Sequence, residues 1–464
     1  MTAPTLHHPV DLEPSLIAPG TYTSRRLRVR LDVAGVICLL LCLLYMLPAT
    51  LIVPGLTFAG RPALVLALAL FAWWALARLS PTLLMIGPQP LRWAALFYLL
   101  SILASCIAGM LRGLPTLEAN GQTFTILITF QFLGLILMAA DGIANWARLR
   151  KVIQVLVWAA AFMAAVGLIQ SLFEYDVAQH LVVPGLELKS DLADFQKRGE
   201  GLFRVAGTAT HYIEFSTVLA MAVPFGLHFA RFAKSRASRA LFTVLTLTIA
   251  VAIPIAISRT GVVALAVAFL VMFVTAWNWR VRYNLGVITI AVLGAMTVVR
   301  PGLLGTLKSM FLWVDADPSI EGRTKDYEYI SHWFSQRPWL GRGPGTLIPD
   351  LYIILDNQWL YTLVTGGIIG VLALAALHIT CIALAAIALR RSRTEEDRHL
   401  CAALIATQVL AIVVGGTFDS LGFTTFAFTL AALSGLCGAV WRFTHPRRTV
   451  RTSTVRRILG KPPT

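Results

Sequence analysis

Apolar runs long enough to cross a bilayer recur along the chain from about residue 31 to residue 441, and one long polar and aromatic stretch, about 300–361, interrupts them. A helix needs ~17–25 predominantly apolar residues to span the hydrocarbon core. Twelve segments meet that requirement, near 31–50, 62–79, 91–110, 122–141, 151–173, 209–230, 239–257, 261–277, 283–299, 362–389, 399–416 and 422–441. The pattern predicts an all-α polytopic membrane protein of about twelve transmembrane helices. The 261–277 and 283–299 spans are the shortest, and 362–389 is long enough to tilt or to begin outside the bilayer. Two connections are long, about 174–208 and 300–361; the others are near ten residues or shorter.

Composition agrees with the pattern. The chain is 57% hydrophobic and 13% charged, against roughly 25% charged in soluble domains. Lys and Arg gather on cytoplasmic loops of membrane proteins. With an inside N-terminus, 26 of the 39 Lys and Arg fall inside, and 16 of the 23 Asp and Glu fall outside. This split predicts an even number of spans with both termini cytoplasmic. The organisation expected is a tail over 1–30, a membrane domain over 31–441 and a basic tail over 442–464. Arg25, Arg26, Arg28 and Arg30 precede the first span as an anchor rather than as part of a cleavable signal. The net charge of +16 therefore calls for no nucleic acid. The basic tail reads as a topology signal or as a contact for anionic lipid headgroups. All six cysteines lie in or at the ends of apolar spans, with no CxxC spacing, and read as packing residues.

The interrupting stretch runs SIEGRTKDYEYISHWFSQRPWLGRGPGT over 319–346. Tyr327, Ile330 and Phe334 fall at i, i+3 and i+7, the spacing of an amphipathic helix beginning near Glu321. Pro338 ends it at or before Arg337, because the residue ahead of a proline disfavours the helical region. The Gly341, Gly343 and Gly345 cluster then makes a turn or, less specifically, a phosphate nest.

Several polar residues sit where a bilayer protein has no need of them. Arg259, between two spans joined by almost no loop, reads either as a ligand for a polyanion or as a snorkelling span-end arginine. Arg204 precedes His211 and Glu214, which share a helix face at i and i+3. That pair reads as two metal ligands without a third, or as a hydrogen-bonded structural pair, with Arg204 or Arg259 as partner for the carboxylate. Arg323 is a cation for a ligand or a solvated charge beside Glu321 and Asp326. Asp356 and Asn357 are a catalytic pair or a helix cap. In the derived topology all of these fall on the outer face, where converging guanidiniums suit a phosphate-bearing polyanion and a carboxylate could take a proton.

In order and spacing these residues resemble the O-antigen ligase and O-antigen polymerase superfamily of bacterial envelope proteins. The likeness covers roughly 204–370: Arg204 and Gly207-Thr208-x-x-His211, the Ser258-Arg259 turn, Gly322-Arg323, the run 337–345, and Asp356-Asn357 ahead of Gly366-Gly367. The resemblance implies a cytoplasmic-membrane glycosyltransferase working without cofactor or metal. Such an enzyme moves a glycan from a polyprenyl diphosphate donor to a hydroxyl of a glycan or lipid acceptor at the outer leaflet. It implies that Arg259 and Arg323 grip the diphosphate, that Asp356 is the base, and that Arg204, His211, Glu214, Arg342 and Asn357 support them. Many ligases carry His-Asn where this chain carries Asp356-Asn357. A polymerase, which extends a lipid-linked repeat, has the same signature. A twelve-helix transporter is the rival from another class; the two halves show neither repeat symmetry nor matched broken helices in their favour.

Overall fold

The computed structural model describes residues 32–56, 59–79, 87–181, 183–188, 196–197, 203–276, 279–299, 327, 329–349 and 351–446. A helix stands at each of the twelve predicted segments. They are α1 (Val33–Met46), α2 (Pro62–Leu79), α3 (Pro90–Leu111), α4 (Thr116–Gly142), α5 (Trp146–Phe173) and α6 (Tyr212–Phe232). They continue with α7 (Arg236–Ile255), α8 (Arg259–Thr275), α9 (Trp279–Val299), α10 (Gln358–Arg391), α11 (Glu395–Val414) and α12 (Thr424–Thr444). Among the described residues nine helices are long and apolar enough to cross a membrane; α1 and α8 are apolar but shorter. The chain is an all-α, multi-pass membrane protein.

The ends of these helices follow from local chemistry. Asp32, Asn145, Ser235, Ser258, Asn357 and Thr394 each accept a hydrogen bond from a backbone N–H of the following turn, capping α1, α5, α7, α8, α10 and α11. The Asn357 cap lies outside the apolar window, so α10 starts at Gln358 rather than near 362; α4 starts at Thr116, directly after Pro115, rather than near 122. α1 stops at Met46 instead of reaching 50, because Leu47 precedes Pro48 and turns extended.

At the centre stand α12 and α6. The most apolar window of α12 is 94% buried, against 28% for the peripheral α2. α12 lies against α4 through Gly435 and Gly438, where an added Cβ would meet Ala139 Cβ at 2.5 Å and Ala140 Cβ at 2.9 Å. Small residues let helices approach closely where lipid supplies no hydrophobic drive for association.

Helix alternation collects the connections into two ends. The loop-rich end holds the described residues of the connections 47–61, 112–115, 174–211, 256–258, 337–357 and 415–423. It is stitched by Ala49 N–H to Thr208 O at 2.9 Å, by the antiparallel pairing of Leu51 with Leu188, and by Gln358 N–H to Gly415 O at 2.7 Å. The basic end is fastened by ion pairs: Arg148 with Asp32, Arg150 with Glu396 and Asp397, and Arg231 with Glu395.

Helix α10 is broken. At Gly367 the backbone turns to φ 65° and ψ −167°, a conformation open to glycine at little steric cost. In an unbroken helix Ile368 and Ile369 N–H would bond Val364 and Thr365 C=O. Here Ile368 N–H donates to Pro338 O (2.9 Å) and Ile369 N–H to Trp339 O (3.2 Å). Val364 O accepts from Arg342 N–H (3.0 Å), and Thr365 O accepts from Gly343 N–H (3.0 Å) and from Ser105 Oγ (2.8 Å). The 337–345 loop thus re-enters the bundle as a wedge and takes up these four backbone groups, the kind of pairing that irregular backbone within a bundle requires.

Candidate functional site

The wedge, α3, α4, α10, α12 and the 415–423 loop enclose a cleft of about 170 Å³, lined in part by Tyr98, Thr125, Gln358, Tyr361, Thr362 and Asp419. Gln358, at the end of the strap 356–358, is one of its lining residues. Asn357 caps α10 by accepting from Trp359 N–H (3.0 Å) and Leu360 N–H (3.1 Å), while its Nδ2 donates to Gly416 O (3.1 Å). Gln358 N–H reaches Gly415 O and Phe418 O, and its Oε1 accepts from Leu421 N–H at 2.7 Å. The cap reading of Asn357 is thus met in the structure, and the same residue ties the strap to the neighbouring loop. Asp356, next to it, is exposed.

Asp419 was not singled out in the sequence. It lies in the short α11–α12 connection, and its carboxyl sits over Gly422, where an added Cβ would meet Oδ2 at 2.4 Å. Burial pushes its pKa from 3.8 up to about 7; the Gly422 N–H opposes that shift and the charge of Asp356 adds to it. The only cue in the sequence was a carboxylate inside a connection of a few residues between two apolar spans.

Arg259 is the first residue of α8 and is half-buried at the loop-rich end. The residue two before it, Ile257, is buried and holds φ 50°, with its N–H on Pro254 O at 3.0 Å. A β-branched residue in the left-handed region is strained by about 1–3 kcal/mol, and such strain clusters at functional sites. Packing fixes the turn: an added Cβ on Gly261 would meet Ser216 Cβ at 2.3 Å.

His211 and Glu214 share a face but do not pair. Glu214 is fully buried. Its Oε2 accepts from Thr210 N–H (2.9 Å), and its Oε1 accepts from Thr425 N–H (2.6 Å) and Phe426 N–H (3.3 Å), the first turn of α12. A carboxylate at a helix N-terminus meets unpaired N–H groups and the positive end of the dipole. Its nearby cation is Arg61, itself buried and donating to Thr424 and Thr425 Oγ1 at 2.8 Å each. The partner expected for Glu214 was Arg204 or Arg259. Arg204 instead donates to the Tyr212 hydroxyl and stacks over that ring at 4.4 Å. His211 caps α6 through Nδ1, packs on Phe423, and burial lowers its pKa to about 4.

Arg342 is buried within the wedge. Its guanidinium lies 3.6 Å from the Trp333 ring centroid and 4.4 Å from that of Tyr352, and Nη2 donates to the Tyr352 hydroxyl (2.7 Å) and Glu118 Oε1 (3.4 Å). Glu118, fully buried, also takes Arg112 and the Tyr352 hydroxyl, and Arg112 Nε donates to Arg342 O at 3.0 Å. These contacts anchor the wedge to α3 and α4. The helical segment 329–336 packs above it through Ile330 and Trp333, while Tyr327 stays exposed. It ends ahead of Pro338, as predicted. Its expected start near Glu321, and Arg323, lie outside the described residues.

The structure therefore gathers Arg259, Asp356, Asn357, Arg342, Arg204, His211 and Glu214 at one end of the bundle. The last four are held in packing and capping contacts. Arg61, Arg112, Glu118 and Asp419 are the polar residues that sequence reasoning passed over. A family model described as O-antigen ligase matches residues 243–375, from within α7 to just past the break in α10. No curated protein matches the chain.

Proposed function

We propose, from the match of residues 243–375 to the O-antigen ligase family model, that the chain transfers a glycan from a polyprenyl diphosphate donor to an acceptor hydroxyl. The loop-rich end faces outward from the cytoplasmic membrane and both termini lie inside, in keeping with the charge split along the sequence. One observation carries the reading. The strained turn presenting Arg259 and the strap presenting Asp356 lie at the same end of the bundle, and Gln358 of that strap lines a cleft that also holds Thr125, Tyr361 and Thr362.

In the proposed reaction Arg259 and Arg323 bind the diphosphate by charge-assisted hydrogen bonds. The acceptor oxygen attacks the anomeric carbon, the carbon–oxygen bond to the diphosphate breaks, and both electrons leave with the diphosphate. The arginines offset the charge that builds there. Asp356 receives the proton lost by the hydroxyl. Energy comes from the donor linkage.

The test is incubation of the purified protein in liposomes with polyprenyl diphosphate-linked glycan and a hydroxyl acceptor. Free polyprenyl diphosphate should appear in step with glycosylated acceptor. Donor that stays intact under all acceptors would sink the proposal. Product extended on a second lipid-linked glycan would identify polymerisation.

A further inference from the structure

We propose that the basic end of the bundle holds a site for the headgroup of an anionic phospholipid, in a groove between the α10–α11 turn, the start of α5 and the end of α12. The site lies at the opposite end of the molecule from the transfer cleft and does not rest on the glycan-transfer reading.

An open groove of about 530 Å³ lies there. Its cationic lining is Arg391 and Arg393, both exposed, and its apolar lining is Trp146, Phe443 and Pro446. Elsewhere at this end Arg148, Arg150 and Arg231 each meet a carboxylate. Arg391 and Arg393 meet none among the described residues. The groove does hold one carboxylate, Asp397, but Arg150 Nη2 takes it up at 2.5 Å. Two positive charges thus face the groove without an opposite one from the described residues.

The turn that carries the two arginines is fixed at both ends. Ser392 N–H and Ser392 Oγ both donate to Ala388 O at 2.8 Å, and Thr394 Oγ1 accepts from Asp397 N–H at 3.1 Å. Across the groove the Trp146 and Phe443 rings pack with centroids 5.4 Å apart. Guanidiniums beside aromatic rings at the ends of spanning helices suit an amphiphile. Its phosphate can take bidentate bonds from arginine while its glycerol and first methylenes lie on the rings. In the topology proposed above this end faces the cytoplasmic leaflet, where anionic lipids supply such headgroups.

The tails of the chain do not bring the missing charge. Residues 447–464 hold six Lys and Arg and no Asp or Glu, and residues 1–31 hold four Arg against Asp11 and Glu13. Both are net positive.

The experiment titrates the full chain, purified in neutral detergent, with short-chain phosphatidylglycerol and counts bound lipid by native mass spectrometry. Phosphatidylcholine of the same chain length and inorganic phosphate form the comparison arms. Saturable binding of phosphatidylglycerol is expected, with neither comparison compound bound at the same concentration. Arg391→Gln/Arg393→Gln should weaken it about tenfold or more. Lys234→Gln/Arg236→Gln removes two exposed charges from the α6–α7 turn at the same end and should leave it unchanged. Wild-type affinity in the 391/393 variant overturns the site. Equal losses in the two double variants overturn it too, by assigning the binding to the charge of the whole face. Phosphatidylcholine bound as tightly removes the charge recognition, and inorganic phosphate bound as tightly makes this a site for a free anion instead of a lipid.

Discussion

The two ends of the bundle solve the same problem, joining the helices, with opposite materials. At the basic end, partly exposed arginines meet carboxylates in pairs: Arg148 with Asp32, Arg150 with Glu396 and Asp397, Arg231 with Glu395. The more buried case, Arg92, holds Asp141 through two nitrogens at 2.8 and 2.9 Å, with Trp74 Nε1 on the same carboxylate. Each of these arginines meets a carboxylate directly. At the loop-rich end charges are buried in cages, Arg342 with Glu118 and Glu214 with the start of α12. Backbone is strained at Ile257, and a helix is opened at Gly367. The first end is a fastening. The second stores cost in its geometry and keeps a cleft open, the combination expected where chemistry is done.

The contrast is most exposed at Asp356. Replacement by Asn should slow glycan transfer by roughly 10²–10⁴-fold, the range for loss of a general base, with the thermal midpoint in detergent unchanged. An unaltered transfer rate would leave the strap as fastening too. Next is Arg342→Ala, which strips one cation from a buried carboxylate and both ring contacts; the cost should be about 3–5 kcal/mol in thermal or denaturant unfolding. A loss under about 1 kcal/mol would mean the wedge is no more tightly seated than the basic end.

Asp419 sharpens the comparison through pH. Its folded pKa of about 7 lies above the ordinary 3.8, so between these values the folded state binds more protons than the unfolded state. Stability is then fully present below about pH 4 and falls as pH rises through about 7. Asp419→Asn should flatten the slope of the thermal midpoint across that window, and a slope equal to wild type would contradict the buried-acid picture. The smallest effect belongs to the basic end. Arg231 is 26% exposed and its partner Glu395 65%, so Arg231→Ala should cost only about 0.2–1 kcal/mol.

Most of the helical frame was legible, because apolar runs of bilayer length and capping residues at their ends are local signals. Pro338 correctly marked where the loop helix stops, and Asn357 was readable as a cap. Partnerships were not legible. Glu214 finds Arg61 and the first turn of α12, separated from it by more than a hundred residues on either side, and no spacing rule points there. Arg342 enters the sequence reading only as a supporting residue, with nothing to show that Trp333, Tyr352 and Glu118 hold it. Gly366 and Gly367 were visible as a motif, but that the second breaks α10 depends on the 337–345 loop arriving from outside the helix. Asp419 was hidden by brevity, since a short connection between spans offers no periodicity to read.

The break in α10 also bears on how the protein is built. Residues 358–391 hold enough apolar surface to enter the bilayer as an ordinary straight rod, with Val364 and Thr365 bonded to Ile368 and Ile369. Seating the 337–345 loop then trades those two internal bonds for four to the newcomer, so these two donors and two acceptors need not face bare lipid once the exchange is complete. Insertion and shaping of this helix can be separate events, the second driven from the aqueous side after the first has finished.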